Sequence, residues 1–510
     1  MFLRRYLSVI ILLLAATGLL ADAVQVSAAT PTPQYGGIYK LITAQTPSNF
    51  GWPPNAVAAA EFIYQPCFDP LAFGYRDGHF EPALATSWKL APDKSTITLT
   101  LKKGVKFHDG SDFNAQVVKF NCDSWIAHKT RMDWKSVEVV DPYTVRITFN
   151  KNFENVMLDQ ILSISIASQA AYEKNGEEWS MANPVGTGAF KFVRHERDTR
   201  TVFAKNENYW QKGFPYLDGV EFIYLKDPMV QAAAMRTNKG TCLQAEASKV
   251  IADLIALGFG YIKGTTGTVA LEPDSANADS PFADNRMRQA LEYAIDREAL
   301  AKAKSYGLYK AAYQMGPEGT VGYDPNFAGR PYDPDKARAL LKEAGFPNGF
   351  KTKIIPMPGV YDKDEMVIIQ RYLAKVGIEV EIEFLDFPRF MGHFAKGWGP
   401  NAILGFPVPM SGGNPNSSLK NLYSKKRILL PSLHIPDICA ERLAESLATP
   451  DTDPAVIKRY YQSIRDEAVL IPIHDIVQYA VLQKGVHDTG QLQMRHWHVW
   501  TPWKLWMEQK

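Results

Sequence analysis

Residues Leu101 to Phe120 read LKKGVKFHDGSDFNAQVVKF, and what flanks this stretch decides the fold. Upstream, Thr96-Ile97-Thr98-Leu99-Thr100-Leu101 alternates polar and apolar residues, the two-residue period of a strand with one buried face. Lys102-Lys103-Gly104 turns the chain into Val105 to Gly110. Asn114 stands where a side-chain oxygen would cap free backbone N–H groups, so a helix is predicted directly after it. Val118, Cys122 and Trp125 fall at i, i+4 and i+7 on one face of that helix. After the Asp141-Pro142 turn, Thr144 to Phe149 alternates again. This region is β-rich with one inserted helix.

Working outward, the first strand is Ile38 to Ile42, after Gly36-Gly37. Past about residue 275 helices and strands alternate. Met287, Leu291, Ala294 and Ile295 form a helical stripe from Asp284 onward. Asp333-Pro334 starts another helix, a cap followed by proline at the first helical position. Its apolar face is Ala337, Leu340, Leu341 and Ala344, and Gly345 stops it. A helix over Met366 to Val376 ends at Gly377 and passes directly into a strand, Ile378 to Phe384. That order indicates α/β packing. Two more helices are predicted near Asp437 to Leu447 and Pro454 to Leu470, before an aromatic tail with Trp497, Trp500, Trp503 and Trp506.

The amino-terminal end has its own signature. Arg4 and Arg5 precede an apolar run, Leu7 to Leu20, and small residues follow. A charged start, a short apolar stretch and a small-residue exit predict a secretory signal peptide over residues 1–29. The run is shorter than the roughly 20 apolar residues that span a bilayer. No cysteine stands at the cleavage triplets, the first being Cys67, so a soluble periplasmic protein is expected rather than a lipoprotein. The remainder is long enough for two or three domains. Lys plus Arg number 56 and Asp plus Glu 54, without a basic block, which argues against nucleic acid or an anionic membrane as partner. Cys67, Cys122, Cys242 and Cys439 allow three two-disulfide pairings or four buried thiols. They are too widely spaced for a compact zinc cluster.

The stretch from Leu101 to Phe120 resembles the most recognisable segment of the family 5 extracellular solute-binding proteins, which include dipeptide, oligopeptide and nickel binders. LATSW (84–88) precedes it. VVDPYTVRITF (139–149), PVGTGAFKFV (184–193), NENYW (206–210) and YLDGVEF (216–222) follow in the family's order. DNRMRQALEYAIDREAL (284–300) and YDPDKARALLKEAG (332–345) complete the series. The resemblance implies an α/β, two-lobed periplasmic binding protein fold with an extra β-rich subdomain, closing about a hinge. Lobe I would hold residues 30–270, including the subdomain near 77–183; lobe II would hold 271–488, and 489–510 would return to lobe I. Strands near Thr268 to Pro273 and Val486 to Gln491 would form the hinge. It further implies a monomeric ABC-importer component that delivers a small solute to an inner-membrane permease. A sensory binding protein presenting its ligand to a receptor is the alternative of the same fold.

Catalytic, metal and cofactor chemistry is not expected. The chain has no G-x-S-x-G elbow, H-E-x-x-H pair or Walker loop. Gly186-Thr187-Gly188 lacks the GK[ST] of a phosphate loop, and His496-Trp497-His498 offers only two metal ligands. His108 reads as a solvated or capping group. Peptide-binding relatives carry an acidic D-Y-x-D-P-like segment that pairs with the peptide's ammonium group. Here the corresponding stretch is GWGPNAILGFPVPMSGGNPN (397–416), and no acid stands between Asp386 and Asp437. A buried ammonium without a carboxylate is costly, so the expected ligand lacks a free peptide amino terminus. The counter-reading is a peptide binder using another carboxylate, such as Glu61 or Asp69. Candidate ligand-binding residues are Asn49, Phe50 and Trp52 after the first strand, with Arg389, Trp398 and Phe406. Aromatic walls would suit an apolar or sugar-like ligand, and Arg389 a carboxylate of a peptide-like solute or organic anion.

Overall fold

The computed structural model describes residues 32–44, 46–47, 49–55, 58–128, 133–151, 153–409, 413–449, 452–494 and 499–509. The signal-like segment and the His496-Trp497-His498 triplet lie outside the described residues. Strands β1 (Ile38–Thr43), β2 (Ala72–Gly74) and β3 (Phe80–Pro82) come first. Next are β4 (Ala85–Leu90), β5 (Thr96–Leu101), β6 (Trp134–Asp141) and β7 (Thr144–Phe149). These four form their own antiparallel sheet in the order β4-β5-β7-β6. Ile97, Leu99, Val145 and Ile147 bury one face of it. The helix Ala115–Ala127 packs there through Val118 and Cys122. Asn114 caps it as expected, its Oδ1 accepting from the backbone N–H groups of Gln116 at 2.9 Å and Val117 at 3.2 Å.

The larger sheet is built from β1 together with β8 (Phe190–Glu196), β9 (Arg200–Lys205), β10 (Gly219–Tyr224) and β11 (Cys242–Glu246). It continues through β12 (Gly260–Pro273), β13 (Phe350–Pro356), β14 (Ile378–Ile382), β15 (Ala402–Pro409) and β16 (Ile471–Leu482). Their order is β14-β13-β15-β12-β16-β11-β1-β10-β9-β8. The strands β1 and β8 to β11 belong to the first lobe, and β13 to β15 to the second. Between them run β12 and β16, paired antiparallel from Gly260↔Leu482 to Leu271↔Ile471. These two long strands carry the chain across and back.

The crossing corrects one expectation. Thr268 to Pro273 does lie on β12, but the returning strand is Ile471 to Leu482 rather than Val486 to Gln491. Val486–His487 (β17) instead pairs with Trp506–Met507 (β18) in a small separate ribbon. The physical reason is burial: β16 has neighbours on both edges and is almost continuously buried, as a strand flanked and covered on both sides must be. Helices cover the second lobe's strands. Asp333 caps Pro334–Glu343, and Lys363–Ala374 turns through Gly377 (φ +91°) into β14. The four cysteines are all buried, and no disulfide joins them among the described residues. No helix among the described residues is long and apolar enough to cross a membrane.

A candidate ligand cleft between the lobes

Where β12 and β16 cross, strand alternation sends Tyr261, Lys263 and Thr265 to a shared hollow with Asp475, Val477 and Tyr479. The hollow is a cleft of about 670 Å³, within the range of small-molecule sites. From the first lobe it is walled by Tyr75 to His79, the tip of the β2–β3 hairpin. From the second it is walled by Gly307 to Lys310, after the helix Arg297–Ser305, and by Glu318 and Gly319.

Arg76 ties these walls together. Its Nε donates to the Gly319 carbonyl at 3.4 Å, and its terminal nitrogens donate to the carbonyls of Leu492 (3.2 Å) and Thr265 (2.7 Å). All of these partners are neutral carbonyls, and Arg76 makes no ion pair among the described residues. Lys263 is exposed and makes no ion pair among the described residues. The acids differ. Asp77 pairs with His79 at 2.5 Å and Glu318 with Lys310 at 2.5 Å. Asp475 accepts from the Thr268 hydroxyl at 3.2 Å. Burial pushes its carboxyl up to about 7, with the Glu318 charge adding to the rise and Lys310 opposing it. Tyr261 and Tyr479 stand 5.8 Å apart between ring centres and supply flat apolar surface. The cleft offers two cations that make no direct ion pair among the described residues, with Glu318 close enough to Lys263 for their charges to interact, together with aromatic surface and one carboxyl raised by burial.

None of the six sequence-predicted residues lines this cleft. Phe50 and Trp52 are buried in the first lobe's core, Phe50 against Phe192 and His195, Trp52 against Tyr172 at 4.4 Å. Asn49 is half-buried beside them. Trp398 and Phe406 are buried in the second lobe's core, Phe406 against Phe394 at 4.6 Å. Arg389 is exposed on the first turn of the helix Phe387–Lys396. Large rings end up inside because these lobes need them to fill their cores. Asp69 is buried and saturated by Tyr209 Oη (3.0 Å), Trp210 Nε1 (2.7 Å) and Thr187 Oγ1 (2.9 Å). Glu61 lines a narrow hollow with Gln65 and Ser163, away from the cleft. The sequence signal that points to this candidate cleft is the alternation of polar and aromatic residues along Tyr261 to Thr265 and Asp475 to Tyr479.

A cleft bridged by two crossing strands, with walls from both lobes, defines a two-lobed solute-binding protein. The chain belongs to the bacterial extracellular solute-binding proteins, family 5, whose model matches residues 79–427. It is therefore a binding protein and not an enzyme. It is 32% identical over 323 residues to the glutathione-binding protein GsiB of Salmonella choleraesuis, covering 61% of this chain and 62% of that relative. With GsiB of Escherichia coli it shares 30% over 434 residues, covering 80% and 82%. Among solved structures, HbpA2 from Haemophilus parasuis superposes with a TM-score of 0.82 at 22% identity, over 93% of this chain and 100% of the other.

Proposed function

We propose that this protein is the periplasmic capture component of an ABC importer. It takes a small carboxylate-bearing solute between its lobes and delivers it, as a monomer, to an inner-membrane permease. Export through a cleaved amino-terminal signal, without a lipid anchor, accompanies this reading; it rests on Arg4, Arg5 and the Leu7 to Leu20 run. The observation that carries the ligand class is the charge inventory of the cleft. Arg76 and Lys263 make no direct ion pair among the described residues, while Glu318 is bound to Lys310 and Asp77 is hydrogen-bonded to His79. An incoming carboxylate gains charge-assisted hydrogen bonds. A peptide ammonium would meet Asp475, whose carboxyl burial raises to about 7, beside two acids that already have side-chain partners, and the stretch between Asp386 and Asp437 adds no acid.

The relatives named for glutathione agree with this chemistry. Glutathione is a γ-linked tripeptide with two carboxylates and one free ammonium, net negative at neutral pH, so it meets the carboxylate requirement while keeping an amino group that is not on a normal peptide amino terminus. Calorimetry with glutathione, an N-acetylated tripeptide, a dicarboxylate and ordinary di- and tripeptides tests the proposal. The carboxylate-rich or amino-blocked probes are expected to bind better than dipeptides by about tenfold or more, the size of one lost charged hydrogen bond. Lys263→Ala should remove most of that preference. Submicromolar binding of an ordinary dipeptide would overturn the ligand class; Asp475 is then the carboxylate it would use.

A further inference from the structure

We propose that a buried amide cluster outside the crossing strands is a latch that holds the two lobes together and sets how readily the cleft opens. The helix Asn155–Leu162 packs Met157, Ile161 and Leu162 into the core of the β4–β7 sheet, which the Asp69 bonds to Thr187, Tyr209 and Trp210 and the His108–Gly188 bond tie to the first lobe. Its neighbouring residue Val156 is instead part of the second lobe's core. Asn155, 2% exposed, donates from Nδ2 to the Ser446 carbonyl at 2.8 Å. Its Oδ1 accepts from Asn416 Nδ2 at 3.0 Å. Asn416 in turn accepts from the Ser446 hydroxyl at 3.0 Å. Asn416 and Ser446 are both 0% exposed, on the second-lobe helices Asn416–Tyr423 and Asp437–Ala448.

An ion cluster rims this contact. Lys420, one helical turn beyond Asn416, pairs with Glu154 and stands 3.5 Å from Asp133, which also holds Lys151 at 2.5 Å. None of these residues lies on β12 or β16, so the cluster joins the lobes at a second place. The chemistry suits a reversible contact. Amides and a hydroxyl that separate on opening regain their hydrogen bonds from water, so the net stabilisation per bond is modest. A wholly apolar contact of the same extent would resist opening through the area it exposed. The paired amides also fix one register, because a misaligned closure would leave buried groups unbonded. None of the latch residues lines the cleft. It tunes affinity through the population of the closed form, on which apparent binding depends directly.

Thiol labelling of ligand-free Ser446→Cys protein tests this, and no ligand is needed, so failure of the carboxylate assignment leaves the test intact. The native thiol of Cys439 lies on the same helix, inside the second lobe's core, and serves as the internal reference. The new thiol is expected to react faster than Cys439, because lobe opening exposes it without unfolding the helix. Adding Asn155→Ala should speed its labelling about tenfold, with Cys439 unchanged. Lys420→Gln, a rim change that leaves the core packing alone, should speed it in the same direction by less. Equal protection of the two thiols, or indifference of the new thiol to both second substitutions in folded protein, would overturn the latch.

Discussion

Trp398 is 4% exposed and shares one apolar cluster with Phe394, Phe406 and Leu433. Its truncation therefore tests packing. Trp398→Ala should cost about 3–5 kcal/mol of unfolding free energy, measured by urea denaturation. Affinity of the folded variant for its solute should change less than threefold; a large loss of affinity at unchanged stability would return Trp398 to the ligand wall. At this scale some residues were legible and others were not. Asn114 could be read as a cap because capping is local chemistry, settled within three residues. Whether an indole fills a core or faces a ligand depends on contacts distant in sequence, and no local pattern separates the two. Gly186 and Gly188 show a further case. A Cβ on Gly186 would clash with the Cys67 carbonyl oxygen, and one on Gly188 would come within 2.5 Å of the Cys67 carbonyl carbon. Close approach of two backbones, set by the Gln65–Cys67 turn, is what those positions require. His108 closes the same contact by bonding the Gly188 carbonyl at 2.9 Å, and burial lowers its imidazole to about 4.

Among the elements, β12 carries a buried acid. Glu272 is 0% exposed and accepts from the Tyr423 hydroxyl at 2.5 Å, while its Oε2 has no hydrogen-bond partner among the described residues. Burial pushes its carboxyl up to about 8, against the Tyr423 hydrogen bond and the charge of Arg427. The native state thus keeps a proton that the unfolded chain releases from about pH 4.5 upward. Stability contributed by the neutral form is complete below that pH, falls as pH rises towards about 8, and is level beyond. Asp274, raised to about 6, acts in the same direction over a narrower window. Urea midpoints at acidic and alkaline pH should show the decline, and Glu272→Gln should remove a share on the order of a few kcal/mol. A slope unchanged by that substitution would place the titration elsewhere. Strand β12 was partly visible in the sequence, but β16 was not, and its composition explains why. From Val469 the chain runs apolar through Leu482 with only His474, Asp475 and Gln478 to break it. A continuous apolar run has no period, so the predicted helix extended to Leu470, whereas the helix stops at Asp466 and the strand begins at Ile471.

For the whole molecule, lobe closure over a ligand removes water from the cleft and strengthens every charge interaction inside it. Asp475 feels this most, being buried, bonded to Thr268 and faced by Lys310 and Glu318. With its carboxyl near 7, the acid is largely neutral at pH 6 and largely ionised at pH 8. A carboxylate ligand held by Arg76 and Lys263 tolerates the neutral acid and is repelled by the anion. If only the protonated cleft binds such a ligand, affinity should fall about tenfold between pH 6 and pH 8. An ammonium-bearing peptide reverses the sign, because ionised Asp475 would pair with it and affinity would rise over the same interval. Asp475→Asn should flatten either profile while leaving the cleft's shape nearly unchanged. Calorimetry of glutathione across that pH range, on wild type and on Asp475→Asn, therefore reads the charge of the bound group directly. A falling curve that flattens in the variant supports carboxylate recognition. A rising one places a free amino group beside Asp475, and a flat wild-type profile removes Asp475 from the binding site.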